Sequence, residues 1–353
     1  MAAVIMMHTA SGILNGPMTT GWHLDNLLVS LCFTAVPLFF MMSGSLLLNG
    51  KRTEDLELLW RRRLPRLIVP LTFWTIVTVL WLWYRTGGTL HDTVLTLIHA
   101  FHTPAYVHLW YLYTLAALYV LSPLLYRLVH ALDRKTERYL LGLMGAVIVF
   151  DLVRSLLPLS IRVHVGLDLF NKLRLLDGHL FAFLLGFYLS RWKKRPRNLI
   201  LIGLAGLCWG VIVLGTWLES RYVGSYSASY QQQNGGWELV LAALLFLLAR
   251  QNLDRPLRTR IARDAVRLAL PIYLMHGVVM NLLWHQGLAP GRFLTQLADW
   301  ALVSVICFLL AKTLCSVPGL CRISTGLSWA EARTCCSWQS AWLRPRQKSA
   351  DGK

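Results

Sequence analysis

The side chains in this sequence that could do chemistry are histidines, arginines and one polar loop, all in or beside long apolar stretches. His8 lies inside the first apolar run, MAAVIMMHTASGIL. An ionisable group in such a run points either to function or to a hydrogen bond with a neighbouring helix. Neutral imidazole takes a hydroxyl proton near pH 7, which makes His8 a candidate general base. Arg63 and Arg66 belong to the cluster WRRRLPR, and residues three apart share one helix face. Guanidinium groups there suit phosphates, which they hold through bidentate, charge-assisted bonds. The same arginines also fit as anchors at the end of a membrane span.

His108, Trp110 and Tyr113 open the segment HLWYLYTLAALYVLSP, and His276 sits in PIYLMHG. These are candidate substrate contacts, or polar caps in an aromatic belt at the membrane surface. His179 follows Asp177-Gly178 in a further polar cluster. The loop YQQQNGGW, from Tyr230 to Trp237, combines amide and aromatic side chains of the kind that bind sugars. Ser43-Gly44, inside a Phe- and Met-rich stretch, is a small pair suited to close helix packing.

The elements that must position these residues are membrane spans. Of 353 residues, 56% are hydrophobic and 15% charged, and the apolar runs are apolar all round. A soluble core would show polar faces at helical or strand period instead. Runs near 26–48, 67–84, 107–129, 138–157, 176–191, 199–218, 236–250, 267–285 and 295–315, with the apolar start, predict an all-α bundle of about ten transmembrane helices. The formal net charge is +18, yet the basic residues cluster between the runs, which argues against nucleic acid as a partner. Basic clusters after the second, fourth, sixth and eighth runs alternate with connections poor in Lys and Arg, 158–175 excepted. That alternation predicts both termini on the cytoplasmic side, in contact with membrane lipids throughout.

The seven cysteines show no metal-ligand spacing, so neither a metal site nor a disulfide framework is expected. Residues 316–353 lack apolar periodicity and predict a basic, disordered cytoplasmic tail behind a transmembrane domain at 1–315. The first run, ended by Asn15-Gly16-Pro17, is short for a span and has neither the basic start nor the cleavage site of a signal peptide. We expect further residues upstream of it.

Five segments in order resemble the acyltransferase-3 family: His8 in the first run, VPLFFMMSGSLLL, RRRLPRLIVP, HLWYLYTLAALYVLSPLL and PIYLMHG. The pattern is most similar to O-acetyltransferases of the enterobacterial-common-antigen type and covers most of residues 1–312. The resemblance implies a bacterial inner-membrane enzyme that moves acetyl from acetyl-CoA to a hydroxyl of a surface or lipid-linked glycan, with no permanently bound cofactor. It implies His8 as the catalytic base and Arg63 and Arg66 as the cytoplasmic arginine motif. The family's partner arginine, upstream in the same helix, has no counterpart here, because only seven residues precede His8. A transporter of glycan-related substrates is the competing class. It calls for paired repeats and broken spans in two halves, and Pro37, Pro70, Pro123 and Pro271 do not pair in that way.

Overall fold

A computed structural model describes residues 1–162, 165, 178–253, 264, 266–288 and 292–340. The described residues are helical, with connecting turns and no strand. Five helical stretches are long and apolar enough to cross a membrane: Thr20–Asn49, Leu56–Thr86, Val107–Ala131, Asn198–Val223 and Phe293–Leu314. Only 28% of the most apolar stretch of Asn198–Val223 is buried, and Leu199, Ile202, Leu207 and Leu214 stand exposed along it. An apolar helix with that much open surface suits lipid contact. The chain is a multi-pass helical membrane protein.

Of the roughly ten spans expected, these five meet the length and composition of a crossing helix among the described residues. The other runs form helices that are shorter or more charged among the described residues: His179–Arg191 has 13 residues, Ala269–Leu283 has 15 and Gly236–Asn252 has 17, and Ala2–Leu14 is also short. Arg134–Ser155 has the length but carries Arg138, Asp151 and Arg154 besides the charges of its first turn.

The chain divides into two compact units. The first comprises Met1–Leu56, Ala117–Arg258 and Trp284–Ala301. It begins with α1 (Ala2–Thr9), α2 (Ser11–Leu14), α3 (Thr20–Cys32) and α4 (Ala35–Asn49). Thr19 caps α3 by accepting from the backbone N–H of Trp22. The main crossing of this unit joins α4 to the helix His179–Arg191. A Cβ on Gly44 would lie 1.8 Å from the Phe183 carbonyl oxygen, and one on Gly186 would lie 2.0 Å from that of Met41. The small residue read from Ser43-Gly44 therefore lets two backbones touch, the usual basis of helix association in lipid.

The second unit comprises Glu57–Ala116, Thr259–Leu283 and Leu302–Lys353. Here a π-turn, Leu59–Arg63, leads into α5 (Pro65–Thr86), with Pro65 in the first turn where its missing N–H costs nothing. A capping box between Thr89 and Asp92 starts α6 (Leu90–His99). Further along, the two units share α7 (Trp110–Ala131). The first unit continues with α8 (Arg134–Ser155), α9 (His179–Arg191), α10 (Asn198–Val223) and α11 (Gly236–Asn252). The second resumes with α12 (Ala269–Leu283), and α13 (Phe293–Leu314) again serves both.

The tail departs from expectation. Residues read as disordered form α14 (Pro318–Thr325) and α15 (Trp329–Ser340), while 341–353 lie outside the described residues. Gly326, at φ +69, reverses the chain between them in the left-handed region that favours glycine. A Cβ there would also meet the Arg66 backbone, 2.4 Å from its Cα.

Candidate functional site

In the first unit, His8 sits in the last turn of α1, half-buried. Its neighbours are fixed from α13: the Gln296 amide donates to the Thr9 hydroxyl and the Met6 sulfur, each at 3.0 Å. Trp300, one turn along, donates to the Ala2 carbonyl at 2.9 Å. The Ser11 hydroxyl donates to the His8 carbonyl at 2.8 Å. The short first helix is thus held at both ends.

The same unit contains a polar cavity of about 440 Å³ including its open mouth, lined by Asp151, Arg154, Arg162, Tyr230, Gln232 and Trp237 among others. Arg154 pairs with Asp151 at 2.8 Å, and the second Asp151 oxygen accepts from the Gly236 N–H at 2.7 Å. The Trp237 indole donates to the Ser155 hydroxyl at 2.7 Å. In the wall itself, Arg162 forms a buried ion pair with Glu219, each side chain less than 10% exposed. Ser227 and Ser229 donate to the other Glu219 oxygen, so the pair is well satisfied. The loop YQQQNGGW is tied down by Gln231, whose amide donates to Asn26 at 2.8 Å and to Ser30 at 2.7 Å on α3. Sequence reading singled out this loop; the fold brings Asp151, Arg154 and Arg162 to it. The same reading missed Asp25 and Glu238, which are fully buried and whose carboxyl oxygens accept no hydrogen bond among the described residues. Their only signal was an acidic residue in an apolar helix.

In the second unit the structure brings His108 and His276 together, with ring centroids 4.5 Å apart. Both are buried. Nε2 of His108 lies 3.1 Å from the Leu274 carbonyl, and the Tyr273 hydroxyl donates to the His108 carbonyl. Gly277 makes room, since a Cβ there would fall 2.3 Å from the His108 ring. Arg85 donates to Asn281 at 3.1 Å, and Asn281 donates to the Tyr106 hydroxyl, extending the polar cluster. Trp110 and Tyr113 lie on the following turn of α7; the Tyr113 hydroxyl donates to the Ala100 carbonyl.

Arg63 ends the π-turn, and Arg66 lies in the first turn of α5. The π geometry is set by the Leu64 N–H, which bonds back to the Leu59 carbonyl at 2.9 Å. Arg66 is partly exposed and ion-paired with Glu331 of α15. Nearby, Arg61 pairs with Glu57 at 2.9 Å on an open surface.

The family model described as an acyltransferase domain matches residues 1–317. The chain belongs to the acyltransferase 3 family. Membership accounts for nine-tenths of its length and stops short of α14 and α15. Neither a curated protein nor a solved structure matches the chain. For an acyltransferase-3 protein, the features above supply an imidazole in an apolar helix, cationic groups at a helix start and a polar cavity with aromatic walls.

Proposed function

We propose that this acyltransferase-3 protein transfers an acetyl group from acetyl-CoA to a hydroxyl of a cell-surface or lipid-linked glycan. It would work in the bacterial inner membrane with both termini in the cytoplasm. The observation that carries the acyl-transfer reading is the family match over residues 1–317. Alternation of basic clusters along the sequence supports the orientation.

In this reading Arg63 and Arg66 hold the CoA phosphates, for which planar guanidinium forks are suited. His8 removes the proton from the attacking sugar hydroxyl, whose oxygen forms the new ester bond at the thioester carbonyl. The carbon–sulfur bond breaks and the CoA thiolate leaves, taking up the proton held by the imidazole. A two-step route is equally consistent, with His8 itself carrying the acetyl group between donor and sugar. The cavity around Trp237 offers an aromatic face, paired charges and an amide, which match a saccharide's apolar face and hydroxyls. His108, Trp110, Tyr113 and His276 provide further saccharide contacts or hold the helices that do.

The test is transfer of labelled acetyl from acetyl-CoA to lipid-linked or surface glycan in membranes carrying this chain. His8→Ala should abolish it, and Arg63→Ala with Arg66→Ala should raise the KM for acetyl-CoA. Full activity in a well-inserted His8→Ala protein would overturn the assignment of the base.

A further inference from the structure

Three thiols that are far from any metal motif in sequence converge in the fold. Cys315 follows the last turn of α13, Cys321 lies in α14 and Cys335 in α15. Their sulfur atoms all lie within 4.8 Å of one another. Cys315 and Cys321 are buried, and the neighbouring Cys336 donates its thiol hydrogen to the Cys315 carbonyl at 2.9 Å. Tetrahedral thiolate ligands about 2.3 Å from a zinc ion stand about 3.8 Å apart, so the widest pair needs to close by no more than about 1 Å.

We propose that Cys315, Cys321 and Cys335 form a binding site for a soft divalent cation of the zinc class, with Cys336 or solvent in the fourth position. The donor set decides the class. Thiolates without a carboxylate select zinc-like ions over calcium or magnesium. Such a tie would add to the contacts that already hold α14 and α15 to α5. Helices of 8 and 12 residues are too short to persist by themselves, and Trp329 of the second is 49% exposed. Binding replaces the S–H bond of each ligating cysteine by a metal–sulfur bond and releases one proton per thiol to solvent, with no change of oxidation state.

Cys315 lies within the family match, and Cys321 and Cys335 lie beyond it. Loading of the site would fasten α14 and α15 where Glu331 engages Arg66. That consequence rests on Arg66 as a CoA-phosphate contact; the metal site does not.

The experiment is titration of the purified, reduced full chain in detergent with Co²⁺ and then Zn²⁺. About one equivalent of Co²⁺ should produce thiolate-to-cobalt absorption, and Zn²⁺ should displace it. Cys321→Ser and Cys335→Ser should each weaken binding about tenfold or more, while Cys208→Ser, in α10, should leave it unchanged. Absence of the thiolate band in the folded, reduced parent overturns the proposal, as does a band that persists in both tail variants. Acetyl transfer, measured on the same preparation, keeps the two readings apart. Transfer without the band removes only the metal site, and the band without transfer removes only the acyltransferase reading.

Discussion

Gln296 reaches across from α13 to the Thr9 hydroxyl, one residue beyond His8, and to the Met6 sulfur two residues before it. A single amide thereby brackets the imidazole on its own helix. Replacing it with an apolar side chain of similar size, Gln296→Leu, removes both contacts. Each such hydrogen bond contributes about 1 kcal/mol. We expect acetyl transfer to fall about tenfold or more, by loosening of α1, with the detergent melting point lowered by only a few degrees. Equal transfer by Gln296→Leu would show that α1 is positioned by other contacts.

The cavity makes a prediction of a different kind. Trp237→Ala removes an aromatic wall while leaving the first unit's main helix crossing intact. The KM for the glycan acceptor should rise at least about tenfold, with the KM for acetyl-CoA unchanged. A matching rise in both constants would argue against an acceptor role for this cavity.

Arg162 and Glu219 should show the asymmetry of buried ion pairs. Arg162→Met leaves a buried carboxylate with only serine donors and should destabilise the protein by about 3 kcal/mol or more. Adding Glu219→Gln should recover much of that loss. Thermal unfolding of the single and double variants in one detergent decides the matter, and no recovery would mean that Arg162 acts through packing.

Glu331 gives the tail a pH dependence. Burial pushes its carboxyl up, but hydrogen bonds from the Ser328 hydroxyl and backbone and the charge of Arg66 outweigh this and hold it below the usual range. A carboxyl depressed in the folded state stabilises that state above its unfolded pKa, and the contribution is lost as pH falls through the lowered value. Docking of α15 should therefore be full at neutral pH and fade below about pH 4. Hydrogen exchange across 326–336, corrected for intrinsic rates, should show protection lost on acidification; protection that grows would reverse the sign.

Much of the fold was legible because lipid imposes simple rules on sequence. Apolar length marked the five spans, and Ser43-Gly44 marked a close crossing, since only a small residue lets backbones meet. The shorter runs fold into helices of 13 to 17 described residues, because an apolar run alone does not reveal where a helix ends. His108 and His276 were read separately, as substrate contacts or interfacial caps; their contact depends on the pairing of distant helices and on the space left by Gly277. The cysteines were unreadable for the same reason. Their meeting needs the reversal at Gly326 and an ion pair spanning 265 residues of sequence.

The reciprocal glycines of α4 and α9 carry a mechanical consequence. Each backbone fills the notch left by the other's missing side chain, so neither helix can slide or roll without a collision. The pair behaves as one strut. Any working stroke within the first unit must therefore be taken up by elements such as α1 and the Tyr230–Trp237 loop, whose ties are hydrogen bonds that can break and re-form.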